Sequence, residues 1–423
     1  MTEASYRGRP MAAHAQKISW SSLPKLALML ACLASSYYFA FRIAPSALGP
    51  ASPTVQLGLY PEWIGCREIL LSRQSPYRLE FNRSIQIAVY GSAAAAKQVN
   101  QQRFAYPAYF VFLFLPLALL PFPLAHLAAL LGAILLTMLS LRLWGLCWNL
   151  SNVALVVVAL TTFSTYPVVL GLQLCQPTLL IAGLLAVVVY WARSERLLWA
   201  GILAGFCMSK PHVAIGILLP LSVWTLAGWR DRRRFLIAFG CSTVALLAAS
   251  ELLLPGWVGP WLATVRAYSH YAGSKPLLME VLHGHFVVPA ITTLLCAVIA
   301  VSYRWRESDF LFAMSFSIAA FQLLFPFLIY NQIMLLPAAL WLLKNASRIN
   351  AADQLCGLLS SCSWIVMATG FASSIALCVG NLVVHGSALK LWELPLLAAW
   401  IYPCSVFLAL SAWAVSQYPL ERD

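Results

Sequence analysis

Charged and aromatic residues gather in one stretch of this otherwise apolar chain, from Leu59 to Leu120. Only 10% of the 423 residues are charged. The stretch nevertheless holds Glu62, Arg67, Glu68, Arg73, Arg78, Glu80, Arg83, Lys97 and Arg103. A carboxylate in such a loop can take a proton from a hydroxyl, and an arginine can bind a phosphate through two parallel hydrogen bonds. The stretch therefore predicts a chemically active polar loop.

The rest of the sequence is typical of an all-α integral membrane protein. It is 61% hydrophobic, with a mean hydropathy of +0.79. Apolar runs long enough to span a bilayer recur along the chain, and they lack the alternation of barrel strands. We therefore expect a polytopic bundle of about 11–13 transmembrane helices. The runs cover 26–44, 105–121, 124–146, 151–170, 176–193, 197–209, 211–228, 234–254, 284–303, 308–325, 328–343, 357–381 and 392–415.

The predicted organisation is a basic cytoplasmic tail at 1–18, followed by a single membrane domain at 19–423. The run at 26–44 is expected to remain as a first helix, rather than to be cleaved as a signal peptide. Large extracytoplasmic loops are predicted at about 47–104 and 255–283. The first of these is expected to be ordered and partly helical.

The net charge of +13 indicates topology rather than nucleic-acid binding. Basic residues fall mainly in short links, as the positive-inside rule predicts for cytoplasmic loops. Alternating these links between the two sides requires that one of the runs at 105–121 and 124–146 fails to span. The loop at 255–283 is an exception, because Arg266, His270, Lys275 and His283 put positive charge on the outer side. A solvated loop and an anionic ligand both explain this.

The eleven cysteines lie mostly inside apolar runs, where they behave as small hydrophobic residues. No Cys-x-x-Cys pair occurs, and the His283–His285 pair has no carboxylate or cysteine spaced around it. We expect no disulfide framework, no metal site and no cofactor.

Several short motifs follow one another in a specific order. They read LYPEW, SPY, RFAYPAYFVFLFLPLALLPF, LQLCQPTLL, AGILAGFCMSKPH and YNQIMLLP. Over roughly residues 20–345 the sequence resembles glycosyltransferase family 87 of the GT-C superfamily. The resemblance implies a glycosyltransferase that takes a hexose from a polyprenyl-phosphate donor. The expected hexose is mannose, which would make the protein a mannosyltransferase. The acceptor would be a glycolipid or a cell-envelope glycan, and the site would face outward from a bacterial cytoplasmic membrane, in contact with its lipids.

The sequence departs from the family at the expected base. The resemblance implies an aspartate directly before the LYP motif, where this chain has Gly58. Glu62 lies four residues further on, one helical turn away, and is the predicted catalytic base; Glu68 is the second choice. The alternative is that Glu62 is a solvated loop residue and that the activity is lost or altered.

The remaining candidates are expected to bind the donor. They are Arg67, Tyr77, Arg78, Arg103, Tyr106, Gln173, Gln176, Lys210 and His212. Lys210 is the strongest, since an ionisable residue between two short apolar helices is costly unless it has a function. Other readings stay open: salt bridges for the arginines, interfacial anchoring for Tyr106 or Lys210, and helix bridging for the glutamines.

Two other functions are compatible with the sequence. One is a transporter or flippase for a lipid-linked saccharide, which would need access from both sides. The other is a catalytically silent relative that serves as a partner subunit, as the glycine at position 58 allows. The absence of nucleotide-binding motifs argues against a nucleotide-sugar donor.

Overall fold

The protein is described by a computed structural model over residues 58–90, 102–267, 276–282, 284–325, 328–352, 354–363, 365–366 and 393–417. Throughout these ranges the regular elements are helical, which confirms the predicted all-α fold. The cytoplasmic tail and the first helix at 26–44 lie outside the described residues. So do His270, Lys275 and His283 of the second large loop.

Within its described residues, 58–90 and 102–104, the first polar loop contains helices, in agreement with the expectation of an ordered loop. Helix α1 (Tyr60–Arg67) continues into the π-helical turn Glu68–Ser72, and α2 spans Leu79–Tyr90. α1 has proline at its second position, where the absent N–H costs no helical hydrogen bond.

The next two helices differ greatly in length. α3 (Phe110–Ala118) has nine residues, and α4 (Phe122–Cys147) has 26. At about 1.5 Å per residue α3 is roughly 13 Å long, less than half the hydrocarbon thickness of a bilayer. This confirms that one of the two runs between 105 and 146 is too short to span.

The other helices mostly follow the predicted apolar runs, apart from Val258–Arg266 and Leu277–Val281 in the predicted loop at 255–283 and Ala346–Ala352 between two runs. In chain order they are α5 (Asn152–Ser164), α6 (Tyr166–Gln173), α7 (Pro177–Arg193), α8 (Leu197–Cys207), α9 (Pro211–Ala227), α10 (Trp229–Leu253), α11 (Val258–Arg266), α12 (Leu277–Val281), α13 (Val287–Arg304), α14 (Phe310–Leu324), α15 (Leu336–Lys344), α16 (Ala346–Ala352) and α17 (Glu393–Ser416). A 3₁₀ segment, Ile329–Leu335, joins α14 to α15.

Among the described residues, three helices are long and apolar enough to cross a membrane. They are α4, α10 and the continuous helical stretch Gly284–Arg304. α5 and α6 meet at a bend of 61° and together could form a fourth span. Shorter apolar helices, α7, α8, α9 and α14 among them, pack against these spans. The chain is a polytopic membrane protein.

Small residues set the closest helix contact, between α8 and α10. Gly201 and Gly205 lie four residues apart on α8, so both face the same neighbour. A Cβ atom on Gly201 would come within 2.3 Å of the Phe235 carbonyl oxygen, and one on Gly205 within 2.3 Å of Ser242 Oγ. In a membrane, where lipid removes most of the hydrophobic drive, such close approach supplies the van der Waals contact that holds helices together.

The two ends of the bundle differ in character. The basic links meet at one end, where Arg232 binds Glu307 through two hydrogen bonds of 2.5 and 2.9 Å, and Lys344 Nζ donates to the Trp148 carbonyl at 2.5 Å. α9 has 17 residues, about 25 Å, with Lys210 before its first residue and Gly228 after its last. Lys210 therefore lies at the opposite end from the basic links.

Candidate functional site

Glu62 lies on the buried face of α1. This face also carries Cys66, four residues on, and it continues to Ile69 of the following π-helical turn; both residues are fully buried. Glu62 itself is only 8% exposed, and its Oε2 atom has no hydrogen-bond partner. A buried carboxylate oxygen without a partner is costly, and groups of this kind are enriched at functional sites.

The surroundings of Glu62 keep its proton affinity high. Burial raises the pKa of its carboxyl to about 8, while a backbone hydrogen bond and the positive charge of Lys210 act in the opposite direction. A carboxyl with a pKa near the working pH holds a proton well and also releases it readily. It is therefore suited to accept a proton from a hydroxyl.

Lys210 occupies the turn between α8 and α9. The hydroxyl of Tyr109 donates to the Met208 carbonyl at 2.9 Å and fixes this turn, and Pro211 opens α9 directly after it. Lys210 is 4% exposed, and its Nζ donates to Thr178 Oγ1 at 2.5 Å. Thr178 in turn donates to Asn331 Oδ1 at 2.8 Å.

Two tyrosine rings flank the Lys210 ammonium. Its Nζ lies 5.8 Å from the ring centre of Tyr106 and 5.1 Å from that of Tyr330. Both distances permit cation–π attraction, which partly offsets the loss of water around the charge. Thr178 accepts one of the three ammonium N–H groups. Within the described chain the other two have no hydrogen-bond partner, so they can bind a ligand.

Glu62 and Lys210 attract each other through space. Both residues lie within the described ranges, and no ion pair joins them, in contrast to Arg232 and Glu307. A buried acid and a buried cation therefore belong to one site without neutralising each other by direct contact.

Gly58 and Gln176 are in contact at the start of α1. A Cβ atom on Gly58 would lie 2.9 Å from Gln176 Nε2 and 2.1 Å from the Leu174 carbonyl oxygen. The loop thus packs directly on the turn between α6 and α7, where Cys175 adopts a positive φ of 44°. This contact places Gln176, 7% exposed, beside Gly58, which precedes Glu62 by four residues in the sequence.

Two arginines of the first loop, Arg67 and Arg78, are held by other protein groups. Arg67 Nη1 donates to the Ala118 carbonyl at 2.8 Å, and its guanidinium lies 5.0 Å from the Trp63 ring, so it ties α1 to the end of α3. Arg78 binds Glu68 at 2.6 Å on the surface. The salt-bridge alternative thus describes Arg78 well, and a role of either arginine in donor binding stays a prediction.

The other candidates lie around the same end of the bundle. Tyr77 donates from its hydroxyl to the Tyr106 carbonyl at 2.8 Å and so fixes the segment that carries the Tyr106 ring. Arg103 is half-buried in that same segment, and Gln173 is half-buried at the end of α6. His212, half-buried in the first turn of α9, packs against Phe325 with ring centres 6.0 Å apart.

Three residues of the site were missed by the sequence reasoning: Thr178, Tyr330 and Asn331. A signal for them exists. Thr178 follows the Gln-Pro pair, and Tyr330 and Asn331 open the YNQ motif, so all three are polar residues next to apolar runs. Their pairing with Lys210 depends on contacts across 32 to 153 positions of sequence, which a motif does not reveal.

A comparison with known protein families identifies the family of this chain. The family model described as glycosyltransferase family 87 covers residues 104–329, more than half of the chain. The matched range includes Gln176, Thr178 and Lys210, and it ends shortly before Asn331. No protein of curated function matches the chain.

Proposed function

Because the chain belongs to glycosyltransferase family 87, we propose that it moves a hexose from a polyprenyl-phosphate donor to a hydroxyl of an acceptor. Mannose is the first candidate for the sugar, and a glycolipid or envelope glycan for the acceptor. One observation carries the proposal: a buried, unpartnered carboxylate oxygen on Glu62 lies within the electrostatic influence of a buried ammonium on Lys210. These are the two charges that such a transfer needs.

In the proposed reaction Glu62 acts on the acceptor. An alcohol has a pKa far above neutrality, so it attacks an anomeric carbon efficiently only if its proton is removed during the attack. The acceptor oxygen forms the new bond to the anomeric carbon, and its proton passes to the Glu62 carboxylate. The bond from that carbon to the phosphate oxygen breaks, and both its electrons leave with the phosphate.

Lys210 acts on the donor, at the phosphate that leaves. The departing polyprenyl phosphate gains negative charge, which a fixed ammonium stabilises more strongly in a dry site than in water. The N–H groups of Lys210 that Thr178 does not occupy are available for the phosphate oxygens. Since Glu62 and Lys210 form no ion pair, each charge remains available to a different part of the substrates, the carboxylate to the acceptor and the ammonium to the donor phosphate.

The membrane helices supply the setting for the lipid part of the donor. A polyprenyl chain is soluble only in hydrocarbon, and the site belongs to a bundle whose helices include several long apolar spans. The basic links lie at the opposite end from Lys210, and the positive-inside rule assigns such links to the cytoplasm. We therefore propose that the site faces away from the cytoplasm, in a bacterial inner membrane.

Purified protein in lipid nanodiscs provides the test. It is incubated with polyprenyl-phosphate mannose that carries a labelled sugar and with total membrane glycolipids as acceptors. We expect labelled glycolipid to form together with an equal amount of free polyprenyl phosphate, and a nucleotide-linked mannose to give none. Lys210→Met should weaken donor binding while the protein stays folded.

The same assay separates the competing functions. A silent partner subunit would bind no donor or release no phosphate at any protein concentration. A flippase would carry labelled donor across the bilayer of sealed proteoliposomes without breaking the sugar–phosphate bond. Either result would overturn the proposal.

A further inference from the structure

We infer that Thr178 and Asn331 are positioning residues, which hold the Lys210 ammonium in the orientation that receives the donor phosphate. The inference rests on the proposed function, because it assigns a purpose to the Lys210 charge. It concerns two residues that touch Lys210 directly or through one hydroxyl.

Three elements meet to form the hydrogen-bond chain. Lys210 lies before α9, Thr178 lies in the first turn of α7, and Asn331 lies in the 3₁₀ segment before α15. Thr178 is completely buried, and Asn331 is 3% exposed. The distances of 2.5 Å from Lys210 to Thr178 and 2.8 Å from Thr178 to Asn331 leave no room for water between the groups.

In this hydrogen-bond chain the protons can be donated in only one direction, from Lys210 towards Asn331. A lysine ammonium can only donate, so the Thr178 oxygen accepts from it and its own proton points to the Asn331 Oδ1. Asn331 is fixed in turn through its backbone: its N–H donates to the Leu328 carbonyl at 2.8 Å, and its carbonyl accepts from Gln322 Nε2 at 3.2 Å. The ammonium is thus held by a chain that ends on the backbone of the 3₁₀ segment.

Thr178 and Asn331 are neutral side chains, and this explains why they suit a lysine that must bind a phosphate. A carboxylate in place of Thr178 would hold Lys210 more strongly, but it would also cancel the charge that attracts a phosphate. A hydroxyl and an amide are neutral, so they orient the ammonium and leave its charge available. Among the charged groups, Glu62 of α1 acts on Lys210 through space, and Lys210 in turn acts on His212 of α9. Neither is the residue that holds its Nζ.

The test measures binding of a polyprenyl phosphate to the full-length protein in nanodiscs. Thr178→Val keeps the shape of the side chain but removes both hydrogen bonds, and should raise the Kd about tenfold. Thr178→Ser keeps the hydroxyl and should bind nearly as well as the native protein. Thr225→Val is the matched control, because Thr225 is equally buried and its hydroxyl only donates to the Leu221 carbonyl of its own helix.

A double-mutant cycle separates a positioning role from a merely structural one. Adding Thr178→Val to Lys210→Met should leave the Kd unchanged from that of Lys210→Met alone, since there is no longer an ammonium to position. If the two effects instead multiply, Thr178 acts on the fold and the inference fails. If Thr178→Val does not fold, Asn331→Leu replaces it in the same cycle, with the same expected result.

The outcomes also distinguish this inference from the proposed function. If Lys210→Met binds polyprenyl phosphate as tightly as the native protein, the proposed donor site is wrong. If Lys210→Met weakens binding but neither Thr178→Val nor Asn331→Leu does, the donor site stands and the positioning inference is wrong.

Discussion

Gly58 lies so close to Leu174 that a Cβ atom on the glycine would come within 2.1 Å of the leucine carbonyl oxygen. The same Cβ atom would lie 2.9 Å from Gln176 Nε2. The resemblance to the family suggests that Gly58→Asp would restore transfer to a Glu62→Gln protein, which has lost its base. The geometry removes that expectation, because any side chain here collides with the turn between α6 and α7.

We therefore predict that Gly58→Ala lowers the free energy of unfolding by roughly 1–3 kcal/mol, the usual cost of overpacking. Thermal melting in detergent would measure it. Gly240→Ala is the matched control. A Cβ atom on Gly240 has no atom within 4 Å, and alanine favours a helix over glycine by about 1 kcal/mol. A Gly58→Asp protein that melts like the native one and restores transfer to Glu62→Gln would contradict the prediction.

The second prediction concerns the base. Glu62→Gln keeps the size and polarity of the side chain but removes the carboxylate, so kcat should fall by roughly two to four orders of magnitude. The Kd for polyprenyl phosphate should change little, because Lys210 binds the phosphate. Both are measurable in nanodiscs with labelled donor.

Glu68→Gln is the matched control for this substitution. Glu68 belongs to the same loop, yet it is paired with Arg78 at the surface rather than buried without a partner. It should retain nearly full activity. Native turnover by Glu62→Gln would remove Glu62 from the mechanism, and a large loss in Glu68→Gln would favour that residue instead.

The third prediction is a pH dependence. Burial raises the pKa of the Glu62 carboxyl to about 8. The carboxyl is protonated below that pH and acts as a base only after losing its proton. At saturating donor, kcat should therefore increase with pH through about 8. The residual activity of Glu62→Gln should lack this increase, and a native kcat that is flat from pH 6 to 9 would rule out Glu62 as the titrating base.

Donor binding should depend on pH in the opposite sense. Burial lowers the pKa of the Lys210 ammonium, although the negative charge of Glu62 opposes the shift. Rising pH therefore removes the charge that attracts phosphate, and the Kd for polyprenyl phosphate should increase. Lys210→Arg keeps a positive charge at all accessible pH values, so in a Glu62→Gln background, which lacks the other titrating group of the site, its Kd should increase much less with pH. A constant Kd in the native protein would contradict this prediction.

The sequence predicts the helices well, because their apolar runs are local features. The alternation of basic links predicts that one of the two runs between 105 and 146 fails to span, although only the structure shows that it is α3. The burial cost of a charge singles out Lys210. Other features arise only when distant segments meet. The Thr178–Asn331 hydrogen bond crosses 153 positions. The bonds from Arg67 to the Ala118 carbonyl and from Arg78 to Glu68 likewise depend on how α1, α3 and the loop pack. The requirement for glycine at position 58 comes from a backbone contact, which no residue pattern reports.

The last prediction concerns the side of the membrane that the site faces. Ser72 and Ser194 are both exposed, the first beside α1 and the second in the basic link between α7 and α8. Each is replaced by cysteine in a background that lacks the exposed native cysteines, and a membrane-impermeant maleimide is added to intact bacterial cells. Since basic links favour the cytoplasm, we expect Ser72→Cys to react at once and Ser194→Cys only after permeabilisation. The two substitutions make the same chemical change, so a difference in labelling reports their side and not their reactivity. The reverse pattern would put Glu62 and Lys210 in the cytoplasm, and the donor would then have to be bound from the inner leaflet.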